Sequence, residues 1–165
     1  MLSRCSLVTL SLVLLWAGAG CPSKQAADDA AHDAGRPMPV AIDETLHHDI
    51  SGIDTPGVYL IRSQPELDEF ASATLKALRV DFARESLVVL ALGQQPTAGY
   101  WARITGITQV GDTLIVQGTA NRPAPDQPVA QVLTTPYCAA VIPATTASAV
   151  RSQITSVTGE APPQE

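Results

Sequence analysis

The stretch SLVVLALG, residues 86–93, decides the fold, because it is apolar at every position after its serine and ends on a glycine. Its short length and its valines favour an extended strand over a helix. A strand that is apolar on both sides needs cover on both faces. The sequence therefore predicts a central strand, buried from both sides, with a loop after Gly93.

The residues after this strand predict an unusual loop and then a hairpin. The stretch GQQPTAGYWARI, residues 93–104, spends a proline and a glycine on its turn and places tyrosine beside tryptophan at its exit. From Tyr100 the side chains alternate in direction, as in a half-buried strand. Gly106 interrupts this alternation, which predicts a bulge. A Gly111-Asp112 turn then leads into TLIVQGTAN, so the two segments form a hairpin.

Segments on either side of this hairpin complete the predicted fold. The stretch GVYLI, residues 57–61, has the pattern of a short strand, and Ser63 opens a capping box that begins an amphipathic helix. Strands are expected at Val129–Thr134 and Tyr137–Ile142, whereas the final segment fits a helix or a strand equally well. The sequence thus predicts an α+β fold: one amphipathic helix packed on a mostly antiparallel β-sheet or sandwich of about five to seven strands.

The chain before this domain has the features of an exported, lipid-anchored protein. Residues 1–20 combine a positive residue, an apolar core and small residues, as in a signal peptide. The stretch AGAGC resembles the lipobox of bacterial lipoproteins, which implies acylation of Cys21 and a membrane anchor; simple secretion is the alternative. This predicts a location in the bacterial cell envelope, facing the periplasm or the cell surface. The expected organisation is a disordered spacer at 21–50, a β-rich domain at 51–158 and a flexible tail at 159–165.

Charge and side-chain inventory argue against several classes of function. The formal net charge is -6 without a Lys/Arg cluster, which argues against nucleic acid as a partner. His32, His47 and His48 all precede Ser51, and their spacing does not favour a metal site. No histidine follows, so Cys138 has no obvious activating base and is expected to be a buried strand residue. We therefore expect no enzyme activity, no catalytic residue, no metal and no cofactor.

Several short motifs together resemble a known family. They are Asp81-Phe82, the stretch SLVVLALGQQPTAGY, the Gly111-Asp112 hairpin and VLTTPYCAAVIP, residues 132–143. In this combination they resemble the C-terminal domain of PrcB proteins, which are accessory lipoprotein subunits of a surface protease complex. The resemblance covers roughly Gly57 to Pro143. It implies a non-catalytic, membrane-tethered subunit whose partner is a secreted or surface protease.

A fainter similarity suggests a second class of function. The stretch QPTAGY, residues 95–100, and Arg122-Pro123 are similar to loops of the chagasin-like inhibitors of cysteine proteases. This similarity implies direct protease inhibition as an alternative. A structural lipoprotein of the cell envelope, which needs no protease, is a third possibility.

The candidate binding residues lie on the proline- and glycine-containing loops, because a rigid loop loses little entropy when a partner binds. For Trp101 the alternative is packing inside the domain, and for Arg122 it is a solvated charge. The candidate partner-binding residues are Gln95, Pro96, Thr97, Gly99, Trp101 and Arg122. The residues expected to shape the loops are Gly93, Tyr100, Pro136 and Tyr137.

Overall fold

Strand β4, Glu85–Ala91, lies in the interior of a four-stranded antiparallel sheet. The computed structural model describes residues 36–70 and 72–162. In this sheet the order is β2-β7-β4-β3, where β2 is Glu44–His48, β3 is Gly57–Ile61 and β7 is Tyr137–Pro143. Every residue of β4 after Glu85 is buried. The predicted central strand with cover on both faces is confirmed.

The second sheet also has four strands and contains the predicted hairpin. Its order is β1-β5-β6-β8, and its strands are β1, Met38–Val40; β5, Trp101–Val110; β6, Thr113–Arg122; and β8, Ala149–Thr158. The register of β5 on β6 shifts between Ile104 and Gly106, which confirms the bulge. The final segment, which the sequence left open, is the strand β8 and runs parallel to β6.

The main core lies between the two sheets. Alternate residues of β4 and β7 point toward β5 and β6, which is the packing expected of a β-sandwich. Full burial of one such aliphatic side chain stabilises the fold by about 1.5–3 kcal/mol. The buried residues of this core include Val88, Leu90, Ala140, Ile142, Ile104, Ile107, Leu114 and Val116.

Two short helices cover the outer face of the β4 sheet. Helix α1 is Gln64–Asp68 and helix α2 is Ala73–Ala77, each with an N-cap serine, Ser63 or Ser72. The Ser72 hydroxyl accepts a hydrogen bond of 3.2 Å from the backbone N–H of Leu75. Because this hydroxyl starts a second helix, the segment does not form the single amphipathic helix that the sequence predicted.

The predicted fold class is therefore wrong. The chain is mostly β, with eight strands in two sheets and only two five-residue helices in the described part. Residues 129–134 form a loop instead of the expected strand, and they make one isolated bridge, between Gln95 and Thr134. Conversely, β1 and β2 lie before Ser51, in a region expected to be spacer. Both are short strands that depend on pairing with distant residues of β5 and β7, which a local pattern does not reveal.

Several expectations fall on residues outside the described part. They are the signal peptide at 1–20, acylation at Cys21, the spacer up to residue 35 and the last residues of the tail, 163–165. Within the described ranges, neither helix has the length and apolar character that a bilayer-crossing helix requires.

Candidate functional site

Two loops lie side by side at one end of the sandwich. We call them the 92–100 loop, between β4 and β5, and the 123–136 loop, between β6 and β7. The backbones of Gln95 and Thr134 exchange hydrogen bonds of 2.7 and 3.0 Å. The Thr134 hydroxyl also donates to the backbone carbonyl of Thr97 at 3.0 Å. The loops thus hold each other in place, and together we call them the loop end.

Asn121, at the end of β6, ties the 92–100 loop to the C-terminal segment. Its amide nitrogen donates to the Gly99 carbonyl, and its amide oxygen accepts from the backbone N–H of Glu160, both at 3.1 Å. The Asn121 side chain itself is buried, although Glu160 at one end of the bridge is exposed. A further backbone bond, from Ala98 to Ala130 at 3.0 Å, closes the tip of the loop.

Two glycines allow the 92–100 loop to pack closely. Gly93 has φ +71°, and a Cβ there would lie 2.7 Å from the Asp54 carbonyl oxygen and 2.8 Å from Pro56. Gly99 has φ +88°, and a Cβ there would lie 3.0 Å from Val129. A side chain at either position would therefore meet both backbone strain and a steric conflict. Gly93 has the loop-shaping geometry expected of it, and Gly99 shares it.

The two aromatic residues at the exit of the loop differ in burial. Trp101 is only 9% exposed, and its indole N–H donates to the Glu160 carbonyl at 3.1 Å. The C-terminal segment therefore covers the ring, which is the packing inside the domain that the sequence left open as the alternative for Trp101. Tyr100 is half-buried and lines a cleft.

Three large aliphatic side chains are exposed on or beside the loop end, and none of them is among the candidate residues predicted from the sequence. Leu133 is 68% exposed and Val132 is 53% exposed, both on the 123–136 loop. Ile50 is 61% exposed and forms a bridge with Thr135, two residues from Leu133. The sequence does carry a signal that residues 129–135 form a loop: Pro128 and Pro136 lie on either side of them. Prolines are rare within paired strands.

A cleft of about 220 Å³ opens beside the loop end, between Pro56 and the C-terminal part of β8. Arg122 lies at this cleft, and its Nε donates to the Thr158 hydroxyl at 3.1 Å. Among the described residues, the one ion pair joins Arg84 and Asp81, so the Arg122 guanidinium has no carboxylate partner there. The cleft is lined by Pro56, Leu92, Gln95, Tyr100, Ala120, Asn121, Arg122, Ser156 and Val157.

The reactive side chains of the domain are poorly placed for chemistry. Cys138 is buried in β7, which confirms its expected position, and burial raises the pKa of its thiol above the ordinary value of 9.0. Its Sγ accepts a hydrogen bond of 3.4 Å from the Ile104 backbone N–H. Burial likewise raises the pKa of the Tyr137 hydroxyl. Residues 36–70 and 72–162 contain no cluster of His, Cys, Asp or Glu suited to a metal ion.

The sequence-predicted residues fall into three groups. Gln95, Tyr100 and Arg122 meet at the cleft. Pro96 is exposed on the 92–100 loop, where Thr97 and Gly99 are half-buried. The others lie behind these loops: Gly93, Trp101, Pro136 and Tyr137 are buried, and the Pro136 carbonyl accepts a 2.9 Å bond from the Leu92 backbone N–H.

These features define a two-sheet β-sandwich with one end built from interlocked loops. Residues 86–143, just over a third of the chain, match the model of the family described as PrcB C-terminal, which confirms the resemblance seen in the sequence. The match runs from β4 to β7 and includes both loops of the loop end. The family name indicates an accessory role in a protease complex, which is consistent with a non-catalytic domain. The comparison with curated proteins found no match, and neither did the comparison with solved structures.

Proposed function

We propose that this protein is a non-catalytic, lipid-anchored subunit of the bacterial cell envelope that binds a secreted or surface protease through the loop end. The observation that carries this proposal is the exposure of Ile50, Val132 and Leu133 on backbone that the interlocked loops hold in place. Contiguous exposed apolar patches typify interaction sites, and the backbones of these residues lie close together because Ile50 bridges Thr135. The family match, which includes both loops, supports an accessory role.

The hydrogen bonds of the loop end favour tight binding. A loop that is already ordered pays little conformational entropy when a partner binds. The Gln95–Thr134 pair and the Asn121 bridge order both loops before any contact with a partner. Burial of exposed aliphatic surface in the complex then contributes favourable free energy, about 25 cal/mol per Å².

Affinity purification from membranes tests this proposal. The full chain serves as bait, and co-purified proteins are identified by mass spectrometry and assayed for proteolysis. Leu133→Asp places a charge at the loop end, whereas Met38→Asp places the same charge on the exposed side chain of β1 and serves as the matched control. We expect wild type and Met38→Asp to recover a protease and Leu133→Asp to recover about tenfold less. Equal recovery by all three baits would remove the loop end from the proposal.

The same baits, together with an inhibition assay, separate the two alternative functions. Direct inhibition is favoured by one observation: the two stretches similar to chagasin-like inhibitors are neighbours, since a Cβ at Gly99 would lie 3.3 Å from Pro123. Titration of the full chain against papain-like and subtilisin-like enzymes decides this alternative, because an accessory subunit leaves both enzymes active. A structural lipoprotein would recover no protease with any bait.

Membrane attachment is tested separately through Cys21. The proposed acyl chains on this residue would retain the chain in the membrane fraction, and Cys21→Ala would release it. Cys138→Ala is the matched control, because this thiol is buried in the domain. Release of both variants, or of neither, would contradict the lipid anchor.

A further inference from the structure

Strand β8 is a long sheet edge that carries no partner strand within the described part of the chain. It has ten residues and lies outermost in its sheet, beside β6. The other three edges are shorter: β1 has three residues, one of them Pro39, and β2 and β3 have five each. Among the described strands, β8 therefore offers the longest open row of backbone donors and acceptors.

The direction of these free groups follows from the parallel pairing with β6. Gly159 directly follows β8, and its N–H donates to the Arg122 carbonyl of β6 at 2.9 Å. This N–H therefore points toward β6. Along a strand the backbone groups of successive residues point to alternate sides. The backbone N–H and C=O groups of Ser152, Ile154 and Ser156 therefore point away from β6, where a further strand would bind.

The sequence of β8 lacks the devices that normally protect an edge. Natural sheets guard their edges with prolines, charged residues, bulges or short strands. The stretch AVRSQITSVT has no proline, no glycine and one charged residue, Arg151, and its pairing with β6 is regular over all ten residues. An unguarded edge of this length is a template for strand addition.

The cleft supplies a side-chain site next to this edge. Ser156 and Val157 of β8 form one wall, and the remaining lining is largely apolar. Its volume of about 220 Å³ is below the range of small-molecule pockets and suits a single apolar side chain. Arg122 at the cleft and exposed Arg151 on the strand have no carboxylate partner among the described residues, which favours an acidic ligand.

We propose that the β8 edge binds an extended peptide segment of a partner protein. The segment adds a strand to the sheet, inserts one apolar side chain into the cleft and places an acidic side chain beside Arg151 or Arg122. The proposal goes beyond the protease-binding function, because it requires neither a protease nor the exposed aliphatic groups of the loop end.

Selection from a displayed library of short random peptides tests this inference, with the full chain as the target. We expect enriched peptides to alternate β-branched residues and to share an acidic residue and one large apolar residue. Ser152→Pro removes an outward N–H from β8 and blocks a docking strand, and proline is tolerated on an edge. Enriched peptides should bind this variant about tenfold more weakly, whereas the control Ser152→Ala should bind within about twofold of wild type.

A second arm keeps the test independent of how the Ser152 variants fold. Each enriched peptide is synthesised with N-methyl groups on either its odd or its even residues. Strand addition predicts that one of these two peptides loses binding and that the other retains it, since only one side of the peptide faces β8.

Four results would overturn the proposal. The first is no enrichment over the bare support, and the second is equal binding by both N-methylated peptides. The third is a dimer in solution that Ser152→Pro dissociates, which would assign the edge to a second copy. The fourth is peptide binding that appears only after residues 22–35 are deleted, which would mean that this segment of the same chain occupies the edge. None of these results depends on protease recovery by the Leu133 variants, so the two proposals fail separately.

Discussion

Replacement of Asn121 by alanine should loosen the loop end and destabilise the domain. Asn121 is 2% exposed, and its amide joins the Gly99 carbonyl to the Glu160 backbone N–H. Alanine removes both hydrogen bonds and leaves a small cavity. The Gly99 carbonyl, which is half-buried, then lacks its partner, whereas the exposed Glu160 can turn to water.

The expected loss follows from these two bonds. Each neutral hydrogen bond contributes about 0.5–1.5 kcal/mol net, and a partly buried carbonyl without a partner adds up to about 1 kcal/mol. The free energy of unfolding should therefore fall by about 2–3 kcal/mol, a large fraction of the 5–15 kcal/mol typical of a domain.

Urea denaturation of the full chain measures this loss as a shift in the transition midpoint at constant slope. Gln131→Ala is the matched control, because this amide is exposed on the 123–136 loop and donates only to the nearby Val129 carbonyl. It should change stability by less than about 0.5 kcal/mol. Hydrogen exchange at Ala98, whose N–H bonds to Ala130, should accelerate in Asn121→Ala alone. Equal midpoints for the two variants would refute the assignment of Asn121 as the residue that ties the loop down.

Three further predictions concern the residues behind the loop end. Gly93→Ala should lower the free energy of unfolding by about 2 kcal/mol or more, because its Cβ would conflict with Pro56 at a positive φ; urea midpoints check this. Trp101→Phe should cost about 1 kcal/mol, since it removes the bond to Glu160, and a loss above about 3 kcal/mol would indicate a larger role. Because burial raises the pKa of Cys138, the folded state keeps this proton when the unfolded state loses it above pH 9.0. Stability should therefore fall as pH rises beyond 9.0, by at most about 1.4 kcal/mol per pH unit for this group, and fall less steeply in Cys138→Ala, as thermal unfolding between pH 7 and 11 would measure.

The parts of the fold that the sequence predicted correctly are those set by local pattern. The run at 86–93 is apolar because both faces of β4 are covered, and any strand inside a covered sheet shows the same run. The β5–β6 hairpin and the bulge at Gly106 follow from alternation over adjacent residues.

The parts that the sequence did not predict depend on residues far apart in the chain. Val150, Ile154 and Val157 have helical spacing, yet β6 lies beside them and extends the segment as a strand. The amphipathic helix predicted after Ser63 is interrupted, because the Ser72 hydroxyl caps a second helix. The sequence left Trp101 open between a contact surface and packing inside the domain, because the segment that covers it, around Glu160, follows about sixty residues later.

Site-specific photo-crosslinking in intact cells tests the central claim most directly, namely that the loop end contacts a protease. A photoreactive residue replaces Leu133 at the loop end or Thr146 at the opposite end, where the neighbouring Ser148 N–H bonds to Asp112. Both positions are exposed, so each can react with whatever lies beside it. We predict an adduct that contains a protease from position 133 and none from position 146. Adducts of equal yield from both positions, or none with a protease from position 133, would contradict the account.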